Sequence, residues 1–262
     1  MTRGPETVAS AERLRRSAEL PSELAARGAL IRALLLFGLP CLCGAADGPW
    51  SASIAGTTDY VYRGVSQAYD NGALQVGINY QSAQGWFLGS WASNVAPYPF
   101  GTSAIELDLY TGVRRSLSDD FSAALSYTHY QYLDDSRPAR YNYDELSVSM
   151  SYLDELIATV SYQPDSSSYS DLGFASRRPS FAYELAGRWP LPHGFALTAG
   201  TGYYDLQRLF DVSYWAANAG AQFTFRRLTI DLSHFFVDST VDRLYEQADA
   251  NGDWVLTALY HF

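Results

Sequence analysis

The chain contains no lysine and only two cysteines, Cys41 and Cys43, which both lie near its N-terminus. The rest of the chain therefore has no disulfide and no thiolate metal site. The longest apolar stretch, 33–43, is interrupted by Gly38 and Pro40 and is shorter than the about 20 apolar residues that a transmembrane helix needs. The formal net charge is -10 and the C-terminal four-fifths contain no basic run, which argues against a nucleic-acid-binding protein.

Aromatic residues are abundant instead. They make up 15% of the chain, with 20 Tyr, 13 Phe and 6 Trp. Tyr and Trp suit a boundary between lipid and water because each combines an apolar body with a polar tip. The total hydrophobic content of 47% is near the average for globular proteins, which fits strands that are apolar on only one face.

Residues 1–46 have the layout of a leader with a secretory signal peptide. Arg27 and Arg32 precede the apolar stretch 33–43, and the small residues Gly44-Ala45-Ala46 follow it. This order of basic, apolar and small residues is typical of a cleavable signal. We predict cleavage after Ala46, with Ala45 as the alternative, and a mature chain over 47–262.

From Trp50 onward, apolar residues recur at every second position, and no long window keeps the 3.6-residue period of a helix. In 105–114, Ile105, Leu107 and Leu109 alternate with Glu106 and Asp108. This alternation predicts strands with one apolar face and one polar face. It is equally clear in 74–81, 146–152, 181–189 and 213–225.

Two kinds of connection separate the predicted strands. Short turns are predicted at 82–85, 117–120, 153–155, 191–194 and 226–227. Longer polar loops are predicted at about 64–72, 96–103, 133–141, 164–178, 206–212 and 238–252. The two kinds alternate strictly, as do the short periplasmic turns and the longer external loops of outer-membrane barrels.

The pattern predicts an all-β fold, an antiparallel up-and-down transmembrane β-barrel of twelve strands. Most of the strands are longer than the about 5–6 residues that are usual in soluble sheets, and they reach the about 9–11 that cross a bilayer at a tilt. Closure also pairs the strand edges that lipid would leave unpaired. The predicted strands are about 51–63, 72–81, 85–95, 104–115, 120–132, 142–152, 155–163, 179–190, 194–205, 212–225, 227–237 and 252–262.

Three segments carry a resemblance to a known family. They are Thr57–Gln67 (TTDYVYRGVSQ), Trp91–Val95 (WASNV) and Glu106–Gly112 (ELDLYTG). In this order they resemble the TorF family of porins, proteobacterial outer-membrane proteins, and the resemblance spans about 50–262. It implies a barrel in the outer membrane with a pore role and no particular solute. The long leader and the loop sequences depart from the family, so it implies nothing about specificity carried by the loops.

The alternation also predicts which charges line the lumen. If Tyr60 and Tyr62 face lipid, then Asp59 and Arg63 face inward. An arginine on the lipid face at the midplane would cost roughly 2–4 kcal/mol, which favours inward placement. Five acidic residues against three arginines predict a polar path that favours cations or neutral polar solutes. The predicted lumen-lining residues are Asp59, Arg63, Glu106, Asp108, Arg114, Glu184, Arg188 and Asp231.

These features predict passive or facilitated diffusion of small polar solutes or ions. One alternative is a plugged barrel with a structural or interaction role in the envelope, because a small barrel fills easily with its own side chains. Tyr110 and Tyr130 could contribute to such a plug.

The last strand ends the chain on an aromatic residue. Reading back from Phe262 in steps of two gives an apolar face with Tyr260 near one end and Trp254 at the other. We predict that this strand pairs antiparallel with the first, and that Trp254, Tyr260 and Phe262 form the signal for the barrel assembly machinery. The other expected partners are outer-membrane lipid and lipopolysaccharide.

An outer-membrane lipid hydrolase is a further alternative, because one family of twelve-stranded outer-membrane barrels is a phospholipase with a Ser-His-Asn site. The candidate pairs are Ser126 with His129 and Ser233 with His234, but on a strand the members of each pair point to opposite faces. Histidines of the girdle or lumen are therefore the favoured interpretation. The segment 249–253 (DANGD) lacks the final Glu ligand and the helix of a calcium loop, so no metal or cofactor is predicted.

Overall fold

The computed structural model describes residues 48–96, 104–133, 142–168, 176–244 and 250–262. The predicted leader and signal, 1–46, lie outside the described residues and stay a prediction. Twelve strands within these ranges form a closed antiparallel barrel, which confirms the predicted fold. They are β1 (Trp50–Thr57), β4 (Ala73–Gln81), β5 (Trp86–Val95), β6 (Ala104–Ser116), β7 (Phe121–Leu133), β8 (Tyr143–Tyr152), β9 (Leu156–Ser168), β10 (Ser176–Pro190), β11 (Phe195–Leu206), β12 (Val212–Phe225), β13 (Leu228–Val237) and β14 (Trp254–His261).

The barrel closes between its first and last strands. β14 pairs antiparallel with β1, from Ser53 opposite His261 to Thr57 opposite Thr257. The backbone N–H of Phe262 also donates to the carbonyl of Ala52 at 2.9 Å. The predicted pairing of the two ends is therefore confirmed. Among the described residues, no helix is long and apolar enough to cross a bilayer.

The outward face of the barrel is apolar, with aromatic residues near both of its rims. Exposed aromatic side chains near the short turns include Trp50, Trp86, Trp189, Phe225 and Phe262. Those near the longer connections include Tyr127, Tyr183, Tyr203, Trp215 and Trp254. Exposed Leu, Val and Ile side chains lie between the two groups. This arrangement is that of a membrane barrel, whose apolar band is flanked by two aromatic girdles.

All five short turns lie where the sequence predicts them. Several contain residues with positive φ, which match the twist of tight hairpins. Leu153 and Asp154 both adopt this conformation, with φ of 53° and 55°. At Gly85, which has a φ of 81°, a Cβ would also strike the carbonyl of Arg114. Glycine is therefore required there by both conformation and space.

Two strands are longer than predicted. β9 continues through Pro164 to Ser168, and β10 begins at Ser176, so the sheet extends into the predicted loop 164–178. The register shifts between Arg178 and Ser180, at Pro179. A bulge accommodates a proline because the residue that it leaves unpaired needs no N–H donor. The prolines therefore do not end these strands as expected.

The first strand is shorter than predicted, because it ends at Thr57 and not at 63. The chain then turns into the barrel as a small hairpin, with β2 (Val61–Tyr62) paired to β3 (Val65–Ser66). Arg63 and Gly64, both with positive φ, form its turn. Tyr60 is 8% exposed, and the hydroxyl of Tyr62 lies 3.5 Å from the hydroxyl of Tyr130 on the inner wall. The expectation that Tyr60 and Tyr62 face lipid is therefore wrong.

Candidate functional site

The candidate site is the barrel lumen with the inner hairpin, which we define as Asp59–Gln67. The base of the hairpin is closed by a hydrogen bond from the N–H of Gln67 to the carbonyl of Tyr60, at 2.7 Å. The hydroxyl of Ser66 donates to Oδ1 of Asp59, also at 2.7 Å. The N–H of Ala96, just after β5, donates to the carbonyl of Gln67 at 2.7 Å and holds the base against the wall.

Arg63 at the tip of the inner hairpin reaches the far side of the lumen. Its Nη2 lies 2.9 Å from Oε2 of Glu145 on β8, and its Nε lies 3.4 Å from Oε1 of Glu184 on β10. The hydroxyl of Tyr214 donates to the backbone carbonyl of Arg63 at 3.0 Å. All three charged side chains are buried. The tip is therefore held by two ion pairs that water screens little.

Aromatic side chains surround the inner hairpin. The Tyr62 hydroxyl lies 3.5 Å from that of Tyr130, and the Tyr130 ring stacks on Tyr143 with centroids 4.3 Å apart. On the other side, the Tyr60 ring meets Trp91 edge-on at 5.3 Å. These rings fill much of the interior toward the longer connections. The Tyr130 side chain therefore lies inside the barrel against the inner hairpin.

An external turn covers the hairpin. The residues Ser239–Arg243 form a 3-10 turn after β13, and Val241 is fully buried. Val241 belongs to the same apolar cluster as Val65 and Val237. The N–H of Ala250 donates to the carbonyl of Gly64 at 3.0 Å. The described parts of the connection between β13 and β14 thus pack on the inner hairpin.

The lumen toward the short turns is lined mainly by small polar side chains. Ser147 and Ser161 face each other at 2.8 Å between hydroxyls, and Ser149 and Thr159 at 3.0 Å. Among the described residues, cavities of about 40 and about 10 Å³ lie inside the barrel. A cavity of the larger size has room for a few water molecules. The interior is therefore polar on the side that faces away from the inner hairpin.

The eight predicted charges all belong to the inner wall or to the inner hairpin. Seven of them are buried, and Arg114 is half-buried near the short turns, where it pairs with Asp154. Arg188 donates from Nε to Oε1 of Gln222 at 2.9 Å. The structure brings Arg63 and Glu184 together. Asp59 and Arg63 lie inside the barrel because the inner hairpin carries them there, and not because of strand alternation. Their role in lining a conducting path stays a prediction.

Glu145 is a site residue that the sequence reasoning did not single out. It is 4% exposed, and it pairs with Arg63 and accepts from Nε2 of Gln163 at 2.8 Å. The signal was present, because Glu145 is in phase with Ser147 and Ser149, which the alternation places on the polar face.

The two histidines of the hydrolase hypothesis lie on the outward face. His129 contacts Asp144 at 2.7 Å, and His234 contacts the carbonyl of Asp253 at 2.9 Å and stacks on Trp254. Ser233 points inward, where its hydroxyl donates to Asp231. Neither proposed serine–histidine pair is assembled. In the part of the chain that the structure describes, no group of three or more His, Cys, Asp or Glu side chains could hold a metal ion.

The sequence matches, over residues 44–258, the model of the Gcw_chp family, described as bacterial proteins of unknown function. The chain belongs to the Gcw_chp family. No curated protein matches the sequence.

Solved structures similar to this member of the Gcw_chp family include outer-membrane porins. The KdgM porin superposes with a TM-score of 0.53 at 9% identity, covering 81% of this chain and 99% of the porin. The NanC porin superposes with a TM-score of 0.54 at 11% identity, covering 80% of this chain and 98% of the porin. The COG4313 outer membrane channel from Pseudomonas putida F1 superposes with a TM-score of 0.51 at 13% identity, covering 83% of this chain and 96% of the channel. At these identities the likeness shows a shared fold, that of outer-membrane porins and channels.

Proposed function

We propose that this protein is a porin-like outer-membrane channel for passive or facilitated diffusion of small polar solutes or ions. The observation that carries the proposal is the division of the closed barrel into an apolar outer face and a charged inner face. Seven of the predicted charges are buried inside, while the exposed strand residues are mainly apolar and aromatic. A lumen of this kind offers polar solutes a path through the bilayer.

The inner hairpin is the constriction in this proposal. It crosses the lumen from β1 to the ion pairs with β8 and β10, so a solute passes beside it or displaces it. The buried acids Asp59, Glu106, Asp108, Glu145, Glu184 and Asp231 outnumber Arg63 and Arg188. This excess of negative charge favours cations and neutral polar solutes over anions.

The test is single-channel recording with refolded residues 47–262 in planar bilayers. We expect discrete current steps, and a reversal potential in a salt gradient that shows cation preference. No steps above background would contradict the channel, and a clear anion preference would contradict the role given to the inward acids.

A plugged barrel with a structural or interaction role in the envelope is the second candidate, and the inner hairpin itself favours it. Val65 of the hairpin packs in one apolar cluster with Tyr204 and Tyr214 of the wall and with Val241 of the turn at Ser239–Arg243. On this alternative the intact protein conducts nothing, and loosening the hairpin restores little current. The bilayer recordings separate the two candidates directly.

Several features of the cellular setting belong to the same proposal. The protein is exported through the Sec route, loses residues 1–46, and enters the outer membrane through the assembly machinery with Trp254, Tyr260 and Phe262 as its signal. There it contacts lipid and lipopolysaccharide, and it acts neither on nucleic acid nor as a lipid hydrolase. The TorF-like segments support this setting. The mass of the protein recovered from outer membranes tests it, since an intact N-terminus would contradict cleavage after Ala46.

A further inference from the structure

The larger cavity lies between the inner hairpin and the barrel wall. It has a volume of about 40 Å³. Asp59 comes to it from the base of the hairpin, and Asp231 comes from β13 on the wall. Two carboxylates from separate parts of the fold therefore border one cavity.

Each of these carboxylates is only half satisfied. Oδ1 of Asp59 accepts from Ser66 at 2.7 Å, and Oδ1 of Asp231 accepts from Ser233 at 2.6 Å. Oδ2 of either residue has no hydrogen-bond partner among the described residues. The two residues are 7% and 8% exposed. Since buried charges are normally paired or bind a metal, two unpartnered carboxylate oxygens at one cavity are suited to a positive group.

The rest of the lining combines five neutral oxygen-bearing residues with the apolar and aromatic residues Tyr60, Val61, Phe235, Val255 and Leu259. It contributes hydroxyl groups from three threonines and amide groups from two glutamines, and no basic side chain is among the residues that line the cavity in the described structure. Nε of Arg188 donates to Oε1 of Gln222, one of the lining residues, at 2.9 Å. The oxygen-bearing neutral residues are Thr57, Thr229, Thr257, Gln75 and Gln222.

We propose that this cavity binds one divalent cation of the calcium class between Asp59 and Asp231. Calcium takes carboxylate, carbonyl and water oxygens in flexible geometry, and two carboxylates balance its charge. The bound ion ties the base of the inner hairpin to β13, on the side of the lumen away from the Arg63 ion pairs. The hairpin is then held at both ends, by an arginine at its tip and by a cation at its base.

Terbium, a luminescent substitute for calcium, tests the site in the folded barrel in detergent. Tyr60 lines the cavity and can transfer excitation to the ion. We expect a saturable terbium signal that calcium displaces. Asp59→Asn and Asp231→Asn should each weaken binding by roughly tenfold or more, because affinity depends on ligand charge. Asp119→Asn, which changes an exposed acid in a short turn, is the matched control and should bind as the parent does.

Heat-modifiable gel mobility shows which variants are folded. Asp59 lies outside the barrel sheet, so Asp59→Asn decides the question if the Asp231 variant does not fold. The proposal is overturned if binding does not saturate by about 1 mM calcium, the weak end of protein calcium sites, or if both variants bind as the parent does. Because the assay needs no ion flow, it can fail while the channel conducts, and it can succeed in a barrel that does not conduct.

Discussion

Nη2 of Arg63 lies 2.9 Å from Oε2 of Glu145, although the two residues are 82 positions apart in the chain. Arg63 is carried by the inner hairpin after β1, whereas Glu145 belongs to β8, nearly opposite β1 in the barrel. Glu184 on β10 completes the contact at 3.4 Å. This buried ion-pair group closes a bridge across the lumen and, together with the contacts at Gly64, Val65 and Gln67, holds the hairpin inside the barrel.

Arg63→Ala should break the bridge and leave Glu145 and Glu184 buried without their cation. Removal of one partner from a buried pair costs about 3–5 kcal/mol. We expect a lower free energy of unfolding in detergent and, if the barrel is a channel, a larger unit conductance in bilayers.

Two further variants isolate the ion pair from a general effect of losing charge. Arg227→Ala removes an exposed arginine from the short turn after β12. This change should leave the free energy of unfolding and the unit conductance as they are in the parent. Glu145→Gln combined with Arg63→Ala should lose less stability than the sum of the two single changes, because residues in contact are coupled. Additive losses would show that the pair contributes no coupling.

Shortening the inner hairpin tests its role as the constriction. The N–H of Gln67 and the carbonyl of Tyr60 are 2.7 Å apart, so one glycine can replace residues 61–66. None of the removed residues belongs to the barrel sheet, and the barrel should still fold. We expect larger current steps than those of the parent in planar bilayers. Folded barrels with unchanged conductance would show that the hairpin does not limit the path.

The external turn over the hairpin should respond to acid. The N–H and hydroxyl of Thr240 donate to Oδ1 of Asp238 at 2.9 and 2.7 Å, and these bonds lower the pKa of that carboxyl from its usual value. A lowered pKa in the folded state means that the ionised cap stabilises the turn above about pH 4. This contribution is lost as the pH falls through the lowered value.

Hydrogen exchange of the peptide 238–244, corrected for the intrinsic effect of pH, measures this opening. Asp238→Ala should speed exchange at neutral pH by roughly fivefold, as expected for loss of a capping carboxylate, and should abolish the acid step. Thr240→Val keeps the backbone N–H donor and should give a smaller change. An acid step of the same size in Asp238→Ala would assign it to another group.

The barrel could be predicted from the sequence because its signals are local. Alternation sets which face of each strand is apolar, and turn residues set where the strands end at the short turns. Both signals are unambiguous at 105–114 and at 226–227, where the structure agrees. The strand count and the closure follow from these signals, since an open edge cannot face lipid.

The inner hairpin could not be predicted in the same way. From Asp59 to Arg63 polar and aromatic residues still alternate except at Val61. This single exception does not distinguish a chain that stays in the sheet from one that folds inward. The structure distinguishes the two by the positive φ values at Arg63 and Gly64 and by the pairing of β2 with β3, which the alternation does not specify. The partners of Arg63 depend on the curvature of the whole barrel, and local periodicity carries no information about contacts across a lumen.

Deleting Phe262 tests the C-terminal strand as an assembly signal. The Phe262 ring packs edge-on against Tyr260 at 5.1 Å, and its N–H closes the sheet on Ala52. The lumen contacts described above do not involve it. We therefore expect less folded barrel in the outer membrane, measured by heat-modifiable mobility in cells, with normal conductance for the molecules that do assemble. Phe225→Ala removes an exposed aromatic of the same girdle and should assemble normally. Equal assembly of the truncated and parent chains would show that the terminal residue is not part of the signal.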